Sequence, residues 1–486
     1  MTDDAVRNGP GLSWRLRVLY GVGQLPEGVK TAAFGFFLLF YFNQVLGLSG
    51  TLAGVALFIA LCFDAVSDPL VGSWSDFART RWGRRHTFMY WAAVPFAVSF
   101  LLLFMPPEGL GQTGLFLWLL VFAVLVRTTM TFYQVPYLSL GAELTANYDE
   151  RTLLAAFRNV FQLLGMFAVL IGGNLLFFRA TDAYANGQLN PEAYLPFAVA
   201  CMPFLLGGIW LAALGTHDQI GRLAQPEANA ARPAMLRAAV KDVVTAFRIP
   251  AFVAVVCASI IFGINQGMIQ ALHLYMATYF FELSSGQITF LFAGAIVGIV
   301  TGSLLSRPVA GMIREKRNVF IAGSAWYALW TSSIIILRLL DLIPGNEDPI
   351  VAVMYIGTGC VSALGLGVAI PMMGSMIADV TDEHERRHGS RQEGIYYAAA
   401  SFASKVVGGA GPVVAGFIID MAGIAPGSAP SEVAPEAIER FGWATGPSVL
   451  VLSALSIACI CFYSLSRARH GEILREIEQR RMGLAP

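Results

Sequence analysis

This sequence predicts an all-α membrane protein with twelve transmembrane helices in two six-helix bundles, and three observations carry that prediction. The 486 residues are 56% hydrophobic and 13% charged, with a mean hydropathy of +0.62. Apolar runs of the roughly 20 residues needed to cross a bilayer recur along the whole chain, more often than the cores of about three soluble domains would require. The longest polar stretch, 216–248, straddles the midpoint, so six runs precede it and six follow.

In order, the spans are expected at 17–45, 51–77, 88–106, 113–141, 152–178, 194–215, 249–281, 286–306, 319–340, 350–379, 393–422 and 443–466. The organisation is then an N-terminal bundle (1–215), a cytoplasmic linker (216–248), a C-terminal bundle (249–466) and a cytoplasmic tail (467–486). Residues 1–17 lack the short apolar region and small-residue cleavage site of a secretory signal, so the first span is expected to be retained.

Lysine and arginine set the orientation. With both termini in the cytoplasm, that side carries 26 of the 32 basic residues, and the far side carries three, Arg179, Arg338 and Arg440. Dropping one span would swap the sides of every later connection, so this bias supports an even count. The net charge is zero and gives no argument for nucleic acid, which is not an expected partner. The six cysteines lie in apolar segments and read as small packing residues.

Few charges fall inside spans, and these are the informative ones. Asp64 and Asp68 stand four residues apart in the second span, so both carboxylates project from one helix face. An ionisable group at this depth costs a few kcal/mol or more unless partnered or wetted. Two like charges also repel, so either one is protonated or a cation sits beside them, which suits exchange of Na⁺ or H⁺. The plainer alternative is an ion pair with a basic residue on a neighbouring helix. Lys405, twelve residues into the eleventh span, needs a counter-ion that either aspartate could supply. Gly408, Gly409, Gly411 and Gly416 beside it read as close packing or a hinge.

Other polar residues are open to two readings. Glu27 and Lys30 in the first span can pair and still line a cavity. Arg127, Thr131 and Gln134 share one face of the fourth span and can meet a cation or substrate, or hold helices together. His273 reads as a satisfied core histidine. The aromatic run Phe34, Phe36, Phe37, Phe40, Tyr41 and Phe42 covers every helix face and is read as lipid contact. His384 to His388 spell HExxH, a zinc-protease pattern, but in a short charged stretch read as a cytoplasmic loop with no evident third ligand.

The segments DAVSDPLVGSWSDFARTRWGRRHTF, QVPYLSLGAELTANYDERTLLAAFRNVF and ADVTDEHERRHGSRQEGIYYAAASFASKVVGG, with the first span, resemble the glycoside-pentoside-hexuronide:cation symporters. These form a branch of the major facilitator superfamily typified by melibiose permease. The resemblance implies the major facilitator fold and transport of a sugar, glycoside or uronide coupled to Na⁺ or H⁺, with no catalysis and no other cofactor. It implies a coupling-cation site at Asp64, Asp68 and Thr131, with Lys405 as the coupling residue. Ser67 stands where the family has asparagine, which leaves the cation open.

Galactoside-binding aspartates are replaced by Gly28 and Gln134, so that specificity does not carry over. The expected substrate-facing set is Glu27, Gly28, Lys30, Arg127, Tyr133, Gln134 and Arg158. An inner gate is expected from Asp76, Arg84, Glu143, Arg151, Asp379, Arg391 and Glu393. The implied setting is a bacterial inner membrane and a monomer; because the branch includes lysophosphatidylcholine symporters, an amphiphilic substrate is the alternative.

Overall fold

The structure is a computed structural model that describes residues 12–78, 80–145, 147–222, 247–388, 396, 399–400, 403 and 409–482. Regular structure among these residues is entirely helical. Ten helices are long and apolar enough to cross a membrane. They are α2 (Gly50–Phe77), α3 (His86–Leu103), α4 (Gln112–Glu143), α5 (Tyr148–Phe167, extended to Leu176), α6 (Tyr194–Gly215), α7 (Pro250–Tyr275, extended to Phe280), α8 (Ser285–Ile313), α9 (Lys316–Leu339), α10 (Pro349–His388) and α12 (Pro435–Cys461).

Three more helices complete the order. The first span, α1, is broken into Trp14–Val22, Leu25–Ala32 and Leu38–Phe40, with π turns at Ala33–Phe37 and Tyr41–Val45. The shorter α11 (Ala410–Ala422) holds the described end of the eleventh span, and α13 (Arg467–Arg481) follows α12. Contacts divide the chain into two compact units. The first holds α1 to α6 and the second α7 to α13, except that Ser284–Thr289 and Ala425–Ala429 group with the first.

Sequence explains the two faces of α2. Ile59, Phe63, Val66, Leu70 and Trp74 recur at three- and four-residue steps and are exposed, as a lipid-facing stripe must be. Ala53, Ala56, Ala60 and Asp64 occupy the opposite, buried face. Small residues there let α4 approach, which brings polar side chains of both helices within bonding distance.

Helix α1 corrects one expectation. Phe34, Phe37, Phe40, Tyr41 and Phe42 are buried rather than in lipid. A helix apolar on every face is one surrounded by its neighbours. Phe37 stacks on Phe178, and Tyr41 stacks on Tyr194 and donates to the Phe104 carbonyl.

α10 is the second correction. It runs nine residues past the expected end, so HExxH lies in helix and not in a loop. The buried Glu383 bonds Arg386 at 2.8 Å and Arg387 at 2.6 Å, the i,i+3 and i,i+4 pairs of a helix.

The first helix of each unit ends in the same way. After the π turns Tyr41–Val45 and Met276–Phe280, Leu48 N–H returns to the Phe42 carbonyl at 2.8 Å and Leu283 N–H to the Ala277 carbonyl at 2.7 Å. The residue just before each leucine has positive φ, Gly47 at 83° and Glu282 at 49°. The repeat is therefore written in backbone geometry, where glycine and glutamate occupy the same turn.

Candidate cation and substrate site

Three helices of the first unit bring the intramembrane charges together. Thr131 of α4 sits between the two carboxylates of α2, its Oγ1 2.9 Å from Asp64 Oδ1 and 3.0 Å from Asp68 Oδ1. Arg127, one turn earlier on α4, places Nη1 3.4 Å from Asp64 Oδ2. Its guanidinium lies 5.2 Å over the Phe34 ring of α1 and feels the charges of Asp64, Glu27 and Asp68. On α1, Lys30 Nζ is 2.8 Å from Glu27 Oε2. Pro69 follows Asp68 inside α2 and has no N–H to bond the Ala65 carbonyl.

The electrostatics of this cluster decide what it can bind. A threonine hydroxyl carries one proton, so it serves one of the two carboxylates at a time. The second must be satisfied by a proton, a cation or another donor, because two ionised carboxylates this close repel. Carboxylate, hydroxyl and carbonyl oxygens are the donor set that hard cations take.

Other expected residues fall elsewhere. The Ser67 hydroxyl donates to the Asp64 carbonyl at 3.1 Å, so it serves its own helix and does not face the carboxylate pair. Gly28 is buried where α1 crosses α5: a Cβ there would lie 2.0 Å from the Gln162 carbonyl oxygen, and one on Gly165 2.3 Å from the Leu25 carbonyl oxygen. It is a packing position, not a substrate contact. The buried Tyr133 hydroxyl donates to the Gly23 carbonyl at 2.7 Å, at the break in α1, and is also structural. Gln134 donates to Gln24 Oε1 at 3.2 Å, leaving its own Oε1 buried without a hydrogen bond. Arg158 of α5 reaches Tyr20.

The expected gate residues form separate clusters. Arg84 meets Glu143 at 2.7 Å. Arg85, which the sequence reading passed over, meets Asp76 at 2.6 Å and Glu143 at 2.9 Å. Arg151 meets no carboxylate among its hydrogen bonds and caps the end of α4, donating to the Thr145 and Ala142 carbonyls. Asp379 takes Lys316 at 2.6 Å, together with the Tyr463 hydroxyl at 3.3 Å. Lys405, Gly408, Arg391 and Glu393 lie outside the described residues.

Second-unit expectations resolve as packing. A Cβ on Gly411 would meet Gly267 at 2.7 Å, so α11 and α7 touch along backbone. His273 stacks on Phe292 at 5.4 Å. His384 is buried with Nδ1 2.9 Å from the Tyr396 hydroxyl, and among the described residues no three potential ligands gather around a metal position.

Among the described residues, ten helices long and apolar enough to cross a membrane, with the broken α1 and the shorter α11, have the architecture of a multi-pass membrane transporter of the major facilitator fold. The chain belongs to the MFS/sugar transport protein family, whose model matches residues 19–467. It is 26% identical to the isoprimeverose transporter of Lactiplantibacillus pentosus, over 96% of this chain and 92% of that protein. It is 24% identical to a glucuronide carrier protein homolog of Escherichia coli, over 97% of this chain and 96% of that protein. Among solved structures, a D-xylose-proton symporter superposes with a TM-score of 0.60 at 15% identity, covering 91% of this chain and 97% of that one, a likeness of fold.

Proposed function

We propose that this protein is a cation-coupled secondary symporter of a sugar, glycoside or uronide, working by alternating access between its two helix bundles in a bacterial inner membrane, with both termini cytoplasmic. One observation carries the coupling: a single hydroxyl, Thr131, is shared by two carboxylates inside a membrane span. Two carboxylates bridged by one hydroxyl at membrane depth suit a site that takes up and releases Na⁺ or H⁺.

The direction of coupling follows from linkage. If the bound cation raises affinity for the sugar, the sugar raises affinity for the cation by the same factor. Arg127 of α4 lies beside Asp64, and Glu27 of α1 acts on Arg127, so a sugar held against these residues would feel the cation's charge. The full-length relatives support a glycosidic substrate. Rocking of the two bundles against each other would expose a site near the membrane midplane to either side in turn.

Uptake of isoprimeverose and of glucuronides into proteoliposomes, driven by an imposed Na⁺ or H⁺ gradient, tests this reading. Asp64→Asn and Asp68→Asn are each expected to abolish uphill accumulation while the protein remains folded. Gradient-driven accumulation that persists in both variants would sink it.

A further inference from the structure

The second unit carries polar groups at the middle of its helices that helix packing does not use. Gln266 stands 16 residues from the start of α7 at Pro250 and 14 from the end of its extension at Phe280. Tyr327 stands 11 residues from Lys316 and 12 from Leu339, the two ends of α9. Both are therefore at helix midpoints, the depth at which two-repeat transporters hold their substrates.

The faces that bear these residues are in contact. Phe262, one turn before Gln266, meets Phe320 of α9 edge-on with ring centroids 5.6 Å apart. Ser324, Tyr327 and Thr331 then follow Phe320 along one side of α9 at steps of four, three and four residues. Tyr327 lies beside both Gln266 and Thr331. Gln266 Nε2 and the hydroxyls of Ser324, Tyr327 and Thr331 are all buried, and none has a hydrogen-bond partner among the described residues. Other hydroxyls of α9 show what is missing: Ser333 donates to the Trp330 carbonyl and Ser332 to the Gly446 carbonyl. Ser324 and Thr331 make no such bond, although serine and threonine in a helix ordinarily do.

Two helices thus gather four polar groups at a depth where hydrocarbon offers them nothing. The set is neutral, a carboxamide, a phenol and two aliphatic hydroxyls, so it lacks the carboxylates that a cation site needs. It matches groups that donate and accept at once, as hydroxyls do.

We propose that Gln266, Tyr327 and Thr331 form a recognition site in the second unit for the hydroxyl groups of the transported sugar, with Ser324 one turn away on the same face. This rests on the sugar-symport reading and gives the sugar partners apart from the carboxylates of α2. Water offers the same hydrogen-bonding chemistry, so the test separates the two.

The test is calorimetric binding, at fixed Na⁺ and pH, of isoprimeverose or a glucuronide, whichever the uptake assay shows the wild type to carry. Purified wild type is compared with Tyr327→Phe, Thr331→Val and Gln266→Met, which keep bulk and remove hydrogen-bonding groups, and the sugar-free melting temperature of each is recorded. Loss of one hydrogen bond to the sugar is expected to weaken binding about two- to tenfold in each variant. Ser333→Ala, whose hydroxyl serves its own helix, is expected to bind as wild type does. Monodeoxy analogues of the same sugar tell contact from packing: for one of them Tyr327→Phe adds no further penalty. Thr331→Val and Gln266→Met decide if Tyr327→Phe does not fold.

Unchanged sugar affinity in the folded variants overturns the site and leaves symport standing; a lower sugar-free melting temperature beside it shows that the groups hold water instead. The same penalty for every deoxy analogue also overturns it, as an effect of packing. Wild type that binds neither sugar refutes the sugar reading and this site with it.

Discussion

The ion pair at the fourth helix of each unit buries opposite partners, the base Arg85 in the first unit and the acid Asp379 in the second. In the first unit, the basic residues of the link between α2 and α3 meet an acid near the end of α4, Glu143. In the second, Lys316 at the start of α9 meets an acid on α10, Asp379. The buried member is the base in one case and the acid in the other: Arg85 is 5% exposed and Asp379 7%, measured on the side chain. The two halves thus keep a position for an ion pair between the same pair of elements and exchange which charge goes inside. What is repeated is a base at the start of the third helix and an acid on the fourth, while the burial of the two partners is exchanged.

The comparison can be broken by deleting the less buried partner. Lys316→Met strips a cation from a buried carboxylate, which then relies on Tyr463 and on His470, 3.5 Å away. Breaking a buried pair in this sense costs about 3 kcal/mol. Unfolding of the detergent-purified variant should show that loss. No loss would mean that Tyr463 and His470 satisfy Asp379 by themselves.

Arg85→Met should cost less although Arg85 is the more buried residue. Deleting it also removes the desolvation of its own charge, Glu143 keeps Arg84, and Asp76 is half-exposed and returns to water. The expected loss is about 1–2 kcal/mol, above an exposed pair and below a stripped buried charge. A loss larger than that of Lys316→Met would show that the first-unit pair, not the second, holds its helices in place.

How much of this was legible in the sequence differs between fold and site. Apolar runs and the basic bias fixed the helices because lipid imposes both, and no tertiary detail is needed to read them. The end of α10 was misread because its charges look like a loop, yet Glu383, Arg386 and Arg387 already stand at helical pairing distances. The aromatic run of α1 was assigned to lipid by hydrophobicity alone; aromatics on every face in fact mark a helix enclosed by others. Gly28 was placed by matching its position to a related family, and a matched position does not say what the backbone there packs against. Arg84 and Arg85 are adjacent, so sequence puts both in the same link, and only the packing of α4 against it decides which one is buried. The aspartate pair and Thr131 were legible because charge at membrane depth needs a partner of a predictable kind. Arg127 was visible as a residue of the fourth span but not as the neighbour of Asp64, since that depends on a side-chain direction.

The smallest expected effect sharpens the comparison most finely. Tyr463 lies in the link between α12 and α13, and its hydroxyl donates to Asp379 Oδ2 at 3.3 Å. Burial, and then the charge of Asp379, push its phenol above the ordinary tyrosine range, so the folded protein keeps it as a donor. Tyr463→Phe deletes one long hydrogen bond to a carboxylate and should cost about 0.5–1 kcal/mol, near the bottom of the range for such bonds. The sign of its pH dependence follows from the direction of the shift. A tyrosine raised on folding contributes stability that is present below the unfolded value of about 10 and is lost as pH rises above it. The stability difference between wild type and Tyr463→Phe should therefore stay level through neutral pH and shrink on the alkaline side. In combination with Lys316→Met, the phenylalanine should cost more than it does alone, because Asp379 then has lost two of its donors. A purely additive double variant would show that Tyr463 packs against α10 without supporting its charge.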